Sequence, residues 1–287
     1  MSSRHFRLGF IIFLTPVLLW LLTLIVIPHI DLLIASFQAE NDQGKLVFSL
    51  ENYRNFFTDS VYWYTFVRTA FYSILVTVIT FLITFPLAFY ITKIASKRLG
   101  GFLSMLLLLP FWVGELVSIY GWMILLRESG VINYILQGVG LIHKPLPLLY
   151  NDFSMVLGLV YMSMLFMVVP LISALESLDD SLIEAASDLG ASKFTIFTRI
   201  VIPYAAPGIT SGAIVVFMLV LGDYLSPDLL GGKNSLWFTE QIYNEFIASF
   251  NWNQGAAFGF LLLLLSTVIV WLGLRLSHQR LDKAVGA

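Results

Sequence analysis

Six long apolar runs, at about 8–28, 69–92, 99–126, 153–175, 204–223 and 256–274, alternate with short polar connectors along the chain. Each run reaches the roughly 20 apolar residues that a helix needs to cross a bilayer core. Lipid offers no hydrogen bonds to backbone groups, so runs of this length are read as helices. The pattern predicts an all-α membrane protein with six transmembrane helices and no soluble domain. The first run exceeds the roughly 7–15 residues of a signal-peptide core, which predicts a retained helix. The third is interrupted by Glu115.

Composition agrees with this reading. Of 287 residues, 58% are hydrophobic and 12% charged, against about 25% charged in a soluble domain. There is no cysteine, which excludes disulfides and thiolate chemistry. The four histidines lie far apart, without metal-ligand spacing, and the net charge of −2 makes no case for nucleic acid. Cofactors and metals are therefore expected to be absent from this chain.

The positive charges set the expected orientation. Arg4, Arg7, Lys93, Lys97, Arg98, Lys193, Arg199, Arg275, Arg280 and Lys283 fall on one side of the six-span arrangement. Only Lys45, Arg54, Arg127, Lys144 and Lys233 fall on the other. Both termini are thus expected in the cytoplasm. Arg68, near the outer end of the second span, is expected to snorkel. The outer connectors 29–66, 127–152 and 224–255 are expected to be the main extramembrane segments, and the latter two to carry short surface helices. Trp63, Trp237 and Trp252 are read as interfacial anchors. Pro16, Pro86, Pro110 and Pro170 should bend their spans. Gly208 and Gly212, four apart, offer a face for close helix approach, either within the chain or to a second subunit.

The connector 176–203 is the most informative stretch. Residues 184–203 read EAASDLGASKFTIFTRIVIP. Residues 179–189 should form a short helix capped by Asp180, with Ile183, Ala186 and Leu189 along one side. Gly190 can end it in the left-handed conformation. Ser192 can cap a second helix running to Pro203. The expectation is a compact elbow presenting alanines and the carboxylates of Glu184 and Asp188 to a partner.

Glu184-Ala185-Ala186, Gly190, Ile200, Ile202 and Pro203 resemble the EAA motif of bacterial ABC importer permeases, with isoleucine where leucine usually precedes the proline. The resemblance implies a type I permease fold in the bacterial inner membrane, in which this loop is the coupling helix seated in a cytoplasmic ATPase. It implies two ATPase subunits, a second permease that is usually a different chain, and a periplasmic substrate-binding protein. Glu184, Ala185, Ala186, Asp188, Gly190, Ile200 and Pro203 would be the coupling residues. The chain lacks G-x-x-x-x-G-K-[ST], so ATP and magnesium belong to the partner ATPases. The chain would be a transport subunit and not an enzyme.

FSLENYRNFF, LLPFWVGELVSIYGWMILL and GDYLSPDLLGG are similar to the spermidine/putrescine subgroup, which implies a polyamine; another small organic solute, such as an aminophosphonate or other amine, is the alternative. An intramembrane carboxylate is costly and is read as functional by default. On a continuous third helix Trp112, Glu115, Ile119 and Trp122 share one face, so a carboxylate flanked by indoles would suit an ammonium ion. Asp223 and Tyr224 would extend the pathway, with a structural role also open for Asp223. The competing role for Glu115 is pairing with Arg68 or a partner's base. An ATP-independent secondary transporter and an intramembrane enzyme are the other classes, the latter lacking any paired nucleophile and base.

Overall fold

A computed structural model describes residues 13–41, 44–232 and 235–276. Arg4, Arg7, Lys233, Arg280 and Lys283, which enter the charge argument, lie outside the described residues, as does the 8–12 start of the first run. The described chain forms two compact units, 13–64 with 241–264 and 65–240 with 265–276.

In the first unit, α1 (Phe13–Ser36) is apolar and exposed almost throughout, as a lipid-facing helix is. The expected stop at Pro28 does not occur: the helix continues to Ser36, the wide turn Leu22–Val26 just before the proline accommodating its missing donor. A short antiparallel hairpin follows, β1 (Gln38–Glu40) with β2 (Leu46–Phe48), and then α2 (Glu51–Thr58). The buried Asn52 amide donates to the Ser36 and Gln38 carbonyls at 3.0 and 2.9 Å, satisfying backbone groups where helix turns into strand. Phe56 and Tyr62 set their rings edge-on against Phe258 of the last helix.

The second unit is built on α3 (Ser60–Ile94), α7 (Asp152–Glu176) and α9 (Lys193–Gly222). Between them come α4 (Lys97–Trp112), α5 (Glu115–Leu126), α6 (Val131–Gly138) and α8 (Asp180–Asp188). After α9 the chain passes through a wide turn at Pro227–Gly231 to α10 (Phe238–Ile247) and α11 (Trp252–Leu276). The surface helices expected in the last two outer connectors are thus α6 and α10.

Van der Waals fit holds these helices together, since lipid removes the hydrophobic drive between spans. On α3 the buried positions Thr65, Thr69, Ser73, Val76, Thr80, Thr84 and Ala88 recur every three or four residues as a small-side-chain stripe. Their hydroxyls are bonded: Ser73 to the Thr69 carbonyl and Thr84 to that of Thr80, both at 2.7 Å, and Thr80 with Ser163 of α7 at 3.3 Å. The glycine pair faces inward. A Cβ on Gly208 would lie 2.5 Å from the Pro170 carbonyl oxygen and 2.6 Å from the Ala174 Cβ, and one on Gly212 2.9 Å from the Met167 sulfur. The close-approach face is therefore used within the chain, between α9 and α7.

Three expectations need correction here. The third span is not one helix: the chain bends by 96° between Lys97–Trp112 and Glu115–Gly138, across Val113 and Gly114, which adopt extended backbone angles. Pro110 lies in the last turn of α4, where a proline ends a helix readily. The second and fifth spans are longer than their apolar runs, because helix continues into polar residues at their ends. Trp237 is not an interfacial anchor, being fully buried in the hydrophobic core of the second unit. Trp63 and Trp252 are exposed.

Candidate functional site

The bend in the third span opens onto a cavity of about 710 Å³ within the second unit. Its walls are mostly apolar, with Leu107 and Pro110 from α4, Met162 and Phe166 from α7, and Met218 from α9. Its polar groups are few: Glu115, Asp223, Tyr161, Tyr224 and Ser163, whose hydroxyl is already bonded to the Leu159 carbonyl. A mostly apolar cavity with a few convergent polar groups is the usual form of a small-molecule site.

Two elements aim the carboxylates. Glu115 is the first residue of α5, where the helix dipole favours an anion. Asp223 follows the last turn of α9, and its Oδ1 accepts the backbone N–H groups of Leu225 at 2.8 Å and Ser226 at 3.2 Å. The two side chains interact electrostatically, so one cavity collects two acidic groups. Asp223 thus has a structural role as well as a place on the cavity wall.

The indole cage does not form. Because of the bend, Trp112 lies on the helix before Glu115; it is 83% exposed and does not line the cavity. Trp122 packs edge-on against Tyr161, ring centroids 5.4 Å apart, and reaches the cavity only through that ring. Glu115 does not pair with Arg68 either. Arg68 donates to Asp152 at 2.5 Å and to the Ser235 carbonyl at 2.9 Å, and lies over the Tyr72 ring. The sequence reading missed Tyr161, Met162 and Phe166, whose run carries only an apolar signal.

The second locus is the elbow between α7 and α9. Asp179, not Asp180, caps α8, its Oδ1 accepting the Ser181 N–H at 2.9 Å. That bond from the Ser181 backbone, and then its hydroxyl, hold the Asp179 carboxyl below its usual range. Gly190 takes φ +80 and turns the chain. Ser192 Oγ then accepts the Thr195 N–H at 3.2 Å to start α9. Pro203 does not separate a second short helix from the next span. The helix passes through it without a break, the wide turn Phe197–Val201 just before it accommodating the missing donor.

The two faces of the elbow differ. Ile183, Ile196 and Ile200 pack toward the core, so Ile200 is an internal contact. Ala186 is half-buried, while Glu184, Ala185, Asp188 and Pro203 are exposed. Leu189 does not continue the apolar side with Ile183; it turns outward at the helix end and is 89% exposed, and Phe194 is 77% exposed. The outer face therefore shows small and apolar side chains beside two carboxylates.

Long lipid-compatible helices, a cavity at a broken span and a projecting elbow define a membrane transport subunit. Residues 60–283 match the family described as binding-protein-dependent transport system inner membrane component, and the chain belongs to that family. It is a multi-pass inner-membrane permease component with a type I fold, not an enzyme.

The chain is 34% identical over 268 residues to the spermidine/putrescine transport system permease protein PotB of Haemophilus influenzae, covering 93% of both chains. Against PotB of Escherichia coli K12 the identity is 32%, covering 92% of this chain and 97% of the relative. The fold is similar, with a TM-score of 0.76 and 19% identity, to a chain of a bacterial alginate ABC transporter solved in complex with an alginate pentasaccharide-bound periplasmic protein. That likeness covers 96% of this chain and 95% of the other.

Proposed function

We propose that this chain is one of two permeases of an ABC importer that carries a polyamine, spermidine or putrescine, into the cytoplasm by ATP-driven alternating access. The observation that carries this reading is the elbow at Glu184, exposed on its outer face and held by the core on its inner one. In this reading α8 is the coupling helix. Ala185 and Gly190 let a groove approach closely, Leu189 and Phe194 fill apolar hollows, and Glu184 and Asp188 pair with basic groups of the ATPase. Both termini lie on the same, cytoplasmic side as the elbow. Two ATPase subunits supply ATP and magnesium, a different chain forms the second half of the pore, and a periplasmic binding protein delivers the solute.

The cavity suits such a cargo. A polyamine is an apolar methylene chain carrying ammonium groups, and the walls are apolar with Glu115 and Asp223 at hand for charge pairing. Tyr161 and Tyr224 offer ring faces and hydroxyls to the same groups. The identity to the PotB proteins favours spermidine and putrescine over an aminophosphonate.

The test is to purify the chain with its co-expressed neighbours, identify the copurifying ATPase, and measure uptake of labelled spermidine and putrescine in proteoliposomes. ATP-dependent uptake that requires the binding protein is expected. Uptake without ATP would replace the importer with a secondary transporter, and preference for another amine would change only the cargo.

A further inference from the structure

The last three turns of α3 place Phe85, Phe89 and Lys93 four residues apart, along one stripe. That stripe meets the elbow on both sides of α8. The Phe85 and Phe89 rings lie edge-on to Phe197 of α9, with centroids 5.5 and 6.1 Å away. One turn further, the Lys93 ammonium donates to the Leu178 carbonyl at 2.5 Å and to Asp180 Oδ1 at 2.7 Å. Leu178 lies just past the end of α7, and Asp180 is the first residue of α8.

Lys93 is unusual in its surroundings. Its side chain is only 7% exposed, although Asp180 is largely open to solvent. Burying an ammonium is costly unless hydrogen bonds compensate, so the two acceptors fix its geometry. The elbow needs such fixing: α8 has no buried residue, and nine residues are too few to make a stable helix alone. Both contact points also fall in wide helical turns, Tyr90–Ile94 on α3 and Phe197–Val201 on α9. Such turns displace the backbone outward and frequently mark functional positions. The Tyr204 hydroxyl adds a third tie, donating to the Ser177 carbonyl at 2.7 Å.

We propose that Lys93 is a positioning residue for energy coupling. With Phe85 and Phe89 it clamps the root of the elbow to α3. A displacement of α8 is thereby delivered to three spans: α7 and α9, to which α8 is joined through the chain, and α3, to which it is joined by this clamp. The inference rests on the reading of α8 as the ATPase contact.

The test uses the complete transporter carrying Lys93→Met or Lys93→Arg, reading copurified ATPase and solute moved per ATP hydrolysed. Lys93→Met should still assemble and hydrolyse ATP, but move about fivefold less solute per ATP, the low end of typical coupling between sites. Lys93→Arg, which keeps donors for both acceptors, should retain most of the transport. Unchanged transport per ATP in Lys93→Met overturns the proposal.

A second measurement covers a variant that fails to assemble. The chain has no cysteine, so within it spin labels need only Val78→Cys on α3 and Ser187→Cys on α8. The clamp predicts that their separation changes by less than about 2 Å between nucleotide-free and ATP-trapped states, within the range of small helix shifts. A larger change overturns it. Failure of the unmodified chain to bind any ATPase would instead remove the importer reading, and this proposal with it.

Discussion

Gly208→Ala should loosen the joint between α7 and α9. Its added Cβ would stand 2.5 Å from the Pro170 carbonyl oxygen and 2.6 Å from the Ala174 Cβ, where ordinary contact begins at 3.4 Å. The first obstacle is backbone and cannot rotate away, so the helices must part by about 1 Å or one must bend, and close-packed interiors resist both. Overpacking of this kind costs about 1–3 kcal/mol. Alanine returns up to about 1 kcal/mol through its better helix propensity. Because the first obstacle is backbone, the cost falls toward about 2–3 kcal/mol, and the net loss is about 1–3 kcal/mol, or about 2–12 °C in Tm for a chain of this size.

Thermal unfolding of the purified chain in detergent, followed by tryptophan fluorescence, reads the effect. Gly259→Ala is the control, since a Cβ there meets nothing within 4 Å, and it should leave Tm unchanged or slightly raised. Adding Ala174→Gly to Gly208→Ala removes one obstruction but leaves the carbonyl and gives up about 1 kcal/mol of helix propensity, so it should not restore the original Tm. If Gly208→Ala and Gly259→Ala melt together, the seam is not where the two spans are joined. The seam matters because α7 and α9 are the arms of the elbow: a looser hinge between them weakens any force applied at α8.

Further outcomes follow from the same contacts. Glu184→Lys, on the exposed face of the elbow, should cut binding-protein-stimulated ATPase activity of the reconstituted complex about tenfold or more, while Glu184→Gln is milder; equal activities would remove charge pairing from the docking argument. Glu115→Gln should weaken polyamine uptake about five- to tenfold by removing one carboxylate from the cavity, measured as the concentration dependence of uptake; an unchanged profile excludes Glu115 from the pathway. Asp152→Asn leaves Arg68, 13% exposed, with the Ser235 carbonyl and the Tyr72 ring. It should cost about 1–2 kcal/mol of stability, less than a fully buried pair because Asp152 is half exposed. Glu240 accepts a hydrogen bond from Ser235, yet burial, its largest influence, and Asp228 push its carboxyl above the usual range. An acid with a raised folded pKa favours the fold while protonated and loses that contribution as pH rises from its unfolded toward its folded value. Glu240→Gln should therefore raise Tm at neutral pH, and the advantage should disappear below about pH 4.3.

Much of the architecture was legible because lipid leaves few solutions: an apolar run of sufficient length becomes a helix. The elbow was legible for a different reason. Gly190 and Ser192 each carry a local conformational preference strong enough to act without tertiary context, and both act as expected. What the residues could not show was partnership across the fold. The glycine pair announced a close contact without naming its partner. The hydroxyl stripe of α3 reads as unremarkable threonines until α7 is set against it. Asp179 and Asp180 compete for one cap; Asp179 takes it, while Lys93 from another span engages Asp180. The bend at Gly114 was hidden by an apolar run that continues through it, and the indole cage disappeared with the straight helix it required.

Three charged residues within and beside the spans share one feature: each sits at, or binds, a place where the helical hydrogen-bond ladder is interrupted. Glu115 begins the helix after the bend, Asp223 binds the free N–H groups past the end of α9, and Lys93 binds a carbonyl released at the end of α7. In lipid such interruptions need side-chain partners or a cavity, so charge accumulates at the joints. A joint is also where helices can change their angle. In the proposed importer, groups that hold a cationic solute and groups that receive force from a motor are thus drawn to the same positions by the same requirement. This gives a physical reason why charged groups collect at the cavity and at the root of the elbow, at separate breaks in the bundle.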